Sequence, residues 1–266
     1  MTPLYSVENL RLSLPDLTRK PLLGAAPRIE ILKGLSFDIA KGEVLGIVGG
    51  SGSGKSTLGR ALVRLAQPTA GMIRFDGTDI THSTAGQLRP LRHRFQMIFQ
   101  DPMSSLNPRQ RIGQIIESPL VLHGVADTAA RMLDALEMVG LPRAFARRYP
   151  HEVSGGQRQR VGIARAIALG PDFVLADEIV SGLDVSSQAQ ILNLLAGLVR
   201  DLGLTLAFIS HDLSVIRRLC GRVLVMNGGE IVEDAPTATL FNAPRSDYTR
   251  SLLDAIPLPD PDQIWV

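Results

Sequence analysis

Apolar and polar positions divide the chain into a β-rich opening, a polar helical block and a closing stretch of alternating strands and helices. Tyr5 to Leu12 alternates loosely, with the two-residue period of a strand. Prolines and Gly24 interrupt that pattern between Pro15 and Pro27, which predicts a surface loop, before Ile31 to Ile39 resumes strand character. Lys41-Gly42 marks a turn into Val44-Leu45-Gly46-Ile47-Val48, an apolar run typical of a strand buried on both faces. Over Thr57 to Ala66 the period lengthens, with Leu58, Leu62 and Leu65 at helical spacing. Gly71 to Gly77 predicts a short strand bounded by glycines.

The block from about Met103 to Pro150 predicts helices with polar surfaces. Ile112, Ile115 and Ile116 share one face, Ala130, Leu133, Leu136 and Val139 another, and Gly140-Leu141-Pro142 closes the second helix. From Ser154 the order becomes helix, strand, helix, strand, over Gln157 to Leu169, Phe173 to Ala176, Ser186 to Arg200 and Leu204 to Ser210. Such alternation predicts a mostly parallel, buried sheet, so the chain reads as an α/β core with a helical block inserted.

Composition removes several classes of function. With 266 residues, 45% of them hydrophobic, the chain can bury a substantial core and does not read as disordered. The formal net charge is only +2. Arg89, Arg92, His93 and Arg94, like Arg158, Arg160 and Arg165, therefore read as solvated or interface faces, and no nucleic acid partner is expected. Cys220 is the single cysteine, which excludes an internal disulfide or a cysteine cluster. Met1 to Leu10 lacks the pattern of a signal peptide, and no apolar stretch approaches the ~20 residues of a membrane helix, so a soluble chain is expected.

The chemistry begins at Gly49-Gly50-Ser51-Gly52-Ser53-Gly54-Lys55-Ser56-Thr57, which matches the phosphate-loop pattern between a predicted strand and a predicted helix. Glycines let the loop wrap closely, so that backbone N–H groups and the helix start face phosphate oxygens. Lys55 adds positive charge for the β and γ phosphates of a nucleoside triphosphate, and the Ser56 hydroxyl is a Mg2+ ligand. Downstream, Phe173-Val174-Leu175-Ala176-Asp177-Glu178 is an apolar strand ending in two carboxylates. Beside a phosphate loop, Asp177 suits the hydrated Mg2+ and Glu178 suits a general base that orients water.

Ser154-Gly155-Gly156-Gln157 opens a helix with a favourable N-cap and bare amides, a second anion site without a lysine. Lying before Asp177, it resembles the signature of the ATP-binding cassette (ABC) transporter family. Gln100, after Gln96-Met97-Ile98-Phe99, is similar to the family's glutamine that reaches Mg2+ and senses the membrane partner. Ser181-Gly182-Leu183-Asp184 is similar to its interface loop, with Asp184 at the nucleotide sandwich, and His211 to its switch histidine at the γ phosphate. The run Met97 to Arg109, the helix start Ser56 to Leu62 and the tail Tyr248-Thr249-Arg250-Ser251-Leu252-Leu253 resemble the second ATPase of dipeptide, oligopeptide and nickel importers.

The resemblance implies a RecA-like P-loop core with an antiparallel β subdomain and an inserted helical subdomain. It implies one ATPase domain over residues 1–255, with the insertion at about 103–160 and a short tail at 256–266. It further implies ATP and Mg2+, and a second ABC ATPase subunit whose Ser154-type signature completes the site. Two permease subunits and an extracytoplasmic solute-binding protein follow, with the chain at the cytoplasmic face of the inner membrane. Where the family stacks adenine on an aromatic residue, this chain offers Leu14; Tyr5 lies nine residues earlier, roughly 30 Å along a strand, too far to replace it. Gly50, Val153 and Ile179-Val180 also depart from the usual residues. A non-transport cassette acting on DNA or ribosomes is the alternative, although such proteins usually carry insertions or tandem cassettes that this length does not hold. A P-loop kinase would lack the signature and the switch histidine.

Overall fold

The computed structural model describes residues 3–16, 24, 26–101 and 105–255. Most of the Pro15 to Pro27 loop, residues 102–104 of the Gln100 segment and the tail at 256–266 lie outside the described residues. Strands β1 (Tyr5–Pro15), β2 (Arg28–Ile39), β4 (Ala70–Phe75) and β5 (Thr78–Asp79) form an antiparallel sheet in the order β2-β1-β4-β5. Strands β3 (Val44–Gly49), β6 (Phe95–Ile98), β7 (Phe173–Asp177), β8 (Thr205–Ile209), β9 (Arg222–Asn227) and β10 (Glu230–Pro236) form a second sheet, ordered β10-β9-β3-β8-β7-β6. Its pairs are parallel except β10 with β9.

Helix α1 (Lys55–Leu62) lies between the two sheets and buries Leu58, Ala61 and Leu62 against them. The two-residue period of β3 divides its side chains: Leu45 and Ile47 join α1 and the antiparallel sheet, while Val48 joins the core on the other face. Tyr5 ties these layers together. Its ring packs edge-on to Phe173 at 4.7 Å and tilted on Phe75 at 5.0 Å, and its hydroxyl donates to Leu62 O at 3.2 Å. Tyr5 is therefore a fully buried core residue. Arg94 clamps the same joint from outside, donating to Asp172 and Asp76 at 2.6 Å each and lying 4.9 Å over the Phe75 ring.

The short α2 (Ala85–Leu88) precedes β6, and the helical block follows it. Helices α3 (Ile112–Leu122), α4 (Thr128–Met138) and α5 (Gly155–Ile167) share a core that includes Ile112, Ile116, Leu120, Leu136 and Val161. Helix α5 begins in this block and runs on beneath the parallel sheet, so it belongs to both parts. Beyond it come α6 (Val185–Leu202), α7 (Leu213–Leu219), α8 (Thr237–Asn242) and α9 (Asp247–Asp254).

The helix expected over Thr57 to Ala66 stops earlier, at Leu62. Arg64 turns into the left-handed region at φ +54°, and its Nε donates to Ile80 O at 2.7 Å, so the chain leaves the helix toward the antiparallel sheet. Leu65 consequently stands 56% exposed instead of on the helix's buried face.

Candidate active site

The loop from Gly49 to Gly54 leaves the end of β3 and enters α1, bringing Gly49, Gly50, Ser51, Gly52, Ser53, Gly54, Lys55, Ser56 and Thr57 into one turn. Gly49 has φ +151°, and a Cβ there would sit 2.1 Å from Met226 O, so only glycine fits against β9. The first intrahelical amide bond is Leu58 N–H to Gly54 O at 2.8 Å; the earlier helix amides have no intrahelical acceptor. Lys55 Nζ donates to Gly49 O and Gly50 O, each at 2.8 Å. It is buried and has no ion-pair partner among the described residues. Burial lowers its pKa, opposed by the charges of Glu178 and Asp177. An ammonium set among bare amides, without a counter-charge in contact, fits a polyanion such as a triphosphate.

Ser56 Oγ donates to Asp177 Oδ1 at 3.0 Å across the joint between α1 and β7. Burial, and next the Glu178 charge, raise the Asp177 pKa, opposed by the Ser56 hydrogen bond and the charges of Arg60 and Lys55. A hydroxyl and a carboxylate whose negative charge is under-compensated form a hard-oxygen pair that suits a divalent cation. Among the described residues no group of three or more His, Cys, Asp or Glu side chains could enclose a metal. A cation here would complete its shell with water and phosphate oxygens, the habit of Mg2+.

The strand order explains the next cluster. Gln100 follows β6, Glu178 follows β7 and His211 follows β8, so three neighbouring strands end side by side. Glu178 N–H donates to Ile209 O at 3.0 Å, and Glu178 has φ +49°, a conformation that costs a non-glycine residue about 1–3 kcal/mol. That turn breaks the alternation with Asp177 and carries the Glu178 side chain between its neighbours. Gln100 Nε2 donates to Glu178 Oε2 at 3.0 Å, while His211 Nδ1 stands 3.5 Å from Oε1. The family resemblance implies a metal contact for Gln100; in the structure its amide nitrogen is on Glu178.

Ser154 caps α5 as expected: its Oγ accepts from Gln157 N–H at 3.3 Å, and Gln157 Oε1 accepts from Ser154 N–H at 3.0 Å. Ser154, Gly156 and Gln157 line a separate cleft with Leu141, Phe145 and Gln190, which no phosphate-loop residue lines. Asp184 is the N-cap of α6, its carboxylate accepting from Ser187 N–H at 2.9 Å and Ser187 Oγ at 2.7 Å. Leu14 pairs with Ile29 at the end of the antiparallel sheet, and both are exposed, by 44% and 48%. One contact escaped the sequence pattern. The Tyr248 hydroxyl accepts from Gly50 N–H at 2.8 Å across 198 residues of chain, a separation over which no local spacing can signal.

A phosphate loop with an unpaired lysine, a serine–aspartate pair and a carboxylate held at the ends of adjacent parallel strands define a P-loop nucleotide-hydrolysing protein. Residues 32–181 match the family model described as ABC transporter. A putative peptide import ATP-binding protein of Brucella ovis is 51% identical over 264 residues, covering 98% of this chain and 81% of that protein. The glutathione import ATP-binding protein of Escherichia coli K12 is 49% identical over 265 residues, 98% of this chain and 42% of that longer protein. Among solved structures, an ATP-binding cassette in a dimeric post-hydrolysis state with ADP and phosphate bound superposes with a TM-score of 0.77 and 29% identity. It covers 88% of this chain and 98% of that one. A cassette from the cbiONQ transporter complex of Clostridium perfringens gives a TM-score of 0.78 at 28% identity, over 91% of this chain and 92% of that one. The chain belongs to the ABC transporter family, as one of its nucleotide-binding ATPase subunits. No helix among the described residues is long and apolar enough to cross a membrane.

Proposed function

We propose that this chain hydrolyses ATP to drive an ABC importer for peptides or a related small solute, bound to permease subunits at the cytoplasmic face of the inner membrane. The observation that carries the reading is the convergence of the Lys55 loop, the Ser56–Asp177 pair and the Gln100–Glu178–His211 cluster at the ends of β3, β6, β7 and β8. The importer class and solute range rest on the two relatives, whose names refer to import of peptides and of glutathione. We take residues 1–255 as one ATPase domain with its helical insertion at about 103–160.

Loop amides and Lys55 bind the triphosphate. Ser56, Asp177 and Gln100 through Oε1 would hold Mg2+, which when bound neutralises charge on the β and γ phosphates. Glu178 orients the attacking water and accepts its proton, with Gln100 Nε2 fixing one of its oxygens and His211 standing beside the other. His211, its side chain 64% exposed, is free to reach a γ phosphate on that open side. Ser154, Gly156 and Gln157, with Gly155 between them, open α5 beside a cleft apart from the chain's own phosphate loop and suit the nucleotide of a second ATPase subunit, with Asp184 capping α6, whose Ser187 lines the same cleft. Leu14, with Ile29 beside it, is the surface offered to adenine.

A groove of about 740 Å³ between the core and the helical insertion suits a short cytoplasmic helix of the permease. Its wall includes Leu65, Phe99 and Leu122, which are exposed by 56%, 40% and 65%. The test is isolation of the chain from native membranes. Copurification with a multi-span membrane protein, together with ATP-dependent phosphate release, is the expected result. A chain that hydrolyses ATP yet associates only with nucleic acid or ribosomes would overturn the importer reading.

A further inference from the structure

Gly50 sits where the phosphate loop begins, and both of its peptide groups are held. The peptide joining Gly49 to Gly50 presents its carbonyl to Lys55 Nζ at 2.8 Å and its N–H to the Tyr248 hydroxyl at 2.8 Å. The next carbonyl, Gly50 O, accepts from Lys55 Nζ at 2.8 Å and from Ser53 N–H at 3.3 Å. Lysine and tyrosine therefore grip one peptide plane from opposite edges. A rotation of that plane would break both contacts together.

Tyr248 is itself anchored through the sheet that carries the loop. It lies in the first turn of α9, and the buried Glu233 on β10 accepts from Arg245 N–H at 2.9 Å and Ser246 N–H at 3.0 Å, just before that helix. Glu233 pairs with Val225 on β9, and Val225 pairs with Val48 on β3, the residue preceding Gly49. One cross-strand row thus holds the root of α9 and the root of the loop, and Tyr248 closes the circuit between them. Gly50 makes room for it, since a Cβ at that position would stand 3.0 Å from the Tyr248 hydroxyl oxygen.

We propose that Tyr248 is a positioning residue for the phosphate loop, fixing the Gly49–Gly50 peptide and through it the Lys55 ammonium in the arrangement that receives a triphosphate. The inference rests on the nucleotide-binding reading of the loop. It makes ATP affinity depend on how α9 is seated. A contact ordered in advance spares the ligand the cost of ordering the loop.

The test is Tyr248→Phe in the full chain, which removes one oxygen and keeps the ring. Amide hydrogen exchange at Gly50, measured without nucleotide, should accelerate. ATP affinity should fall roughly two- to tenfold, the span of one hydrogen bond's net contribution. KM for ATP should rise while kcat at saturating ATP holds and the thermal unfolding midpoint falls by no more than a few degrees, the local cost of one bond, a split that general loosening would not give. Gly50→Ala should weaken ATP binding in the native background and add little in the Tyr248→Phe background, because both act on one contact. Unchanged Gly50 exchange together with unchanged affinity, in a chain that binds ATP, overturns the tether. If Tyr248→Phe does not fold, Gly50→Ala decides through amide exchange at residue 50 without nucleotide: faster exchange together with weaker ATP binding supports the tether, and native exchange or native affinity refutes it. A native chain that binds no ATP overturns the nucleotide reading instead, and Gly50 exchange still tests the hydrogen bond by itself.

Discussion

The side-chain amide of Gln100 donates to Glu178 Oε2 at 3.0 Å, joining the end of β6 to the residue after β7. Gln100 leads into the segment before the helical insertion, so the bond couples the insertion's root to the carboxylate proposed to handle water. The bond uses only the amide nitrogen. The lone pairs a cation would need sit on Oε1, so one glutamine has an atom for each role.

Glu178→Gln should retain ATP binding and lose most hydrolysis. The substitution preserves size and the capacity to meet Gln100 and His211, but an amide cannot accept the proton of an attacking water. Removing a positioned general base costs about 10²–10⁴ in rate. Phosphate release by the assembled transporter, compared at saturating ATP, is the measurement. Turnover near that of the unaltered protein would remove Glu178 from the role of base.

Asp177→Asn should raise the thermal stability of the nucleotide-free chain while weakening Mg2+-dependent ATP binding. The Asp177 carboxyl is only 4% exposed, and its pKa is raised above the ordinary 3.8, chiefly by burial and then by the Glu178 charge. A raised carboxyl pKa means the ionised form is disfavoured in the folded chain, so the neutral amide relieves that penalty. The sign gives the pH dependence. The gain is present near neutral pH and fades as pH falls through the raised value toward 3.8, where the native carboxyl carries its own proton. Unfolding midpoints of the two proteins, compared across that window, check it; a less stable Asn variant at neutral pH would contradict the account.

The sequence pattern located the phosphate loop, the Asp177-Glu178 strand end, the Ser154 cap and the helical insertion, because each is encoded by neighbours in the chain. Lys55 and Ser56 follow the strand that aims them, and Ser154 and Gln157 cap each other within one turn. What local pattern does not carry is pairing across long separations. Strand β6 spans four residues, too short to declare a period, and β9 owes its place to β3, far back in the chain, with β10 returning against it. The left-handed backbone of Glu178 follows from the strands on either side of it. Tyr248 stood out only as part of a tail resembling other importer ATPases, with no role that spacing could assign.

Cys220 should be nearly inert to thiol reagents in the folded chain. It ends α7 against Gly46 of β3, 6% exposed, and burial pushes its pKa from the ordinary 9.0 up to about 12. Only the thiolate attacks, so the shift alone slows labelling on the order of a thousandfold, before access is counted. Reaction with a chromogenic aromatic disulfide should be slow in buffer and prompt in denaturant. Equal rates in the two would mean that this face of β3 opens readily.

That inertness permits a clean test of the groove between core and insertion, since the native thiol will not compete with introduced ones. Leu65 stands on the core side, where Arg64 leaves the helical path, and Leu122 closes α3 on the insertion side. Both are largely exposed leucines lining one apolar-walled groove, and truncating an exposed side chain away from the packed core costs little stability. Leu65→Cys and Leu122→Cys should each cross-link to a permease subunit in native membranes. The yield should change with nucleotide state, because ATP favours one arrangement of paired cassettes and hydrolysis removes that preference. Changes at both positions would mean that a permease segment seats between core and insertion; a change at Leu122 alone would mean that the insertion moves against a fixed core. Cross-linking to no membrane protein from either position, under any nucleotide condition, would remove the groove from the permease interface.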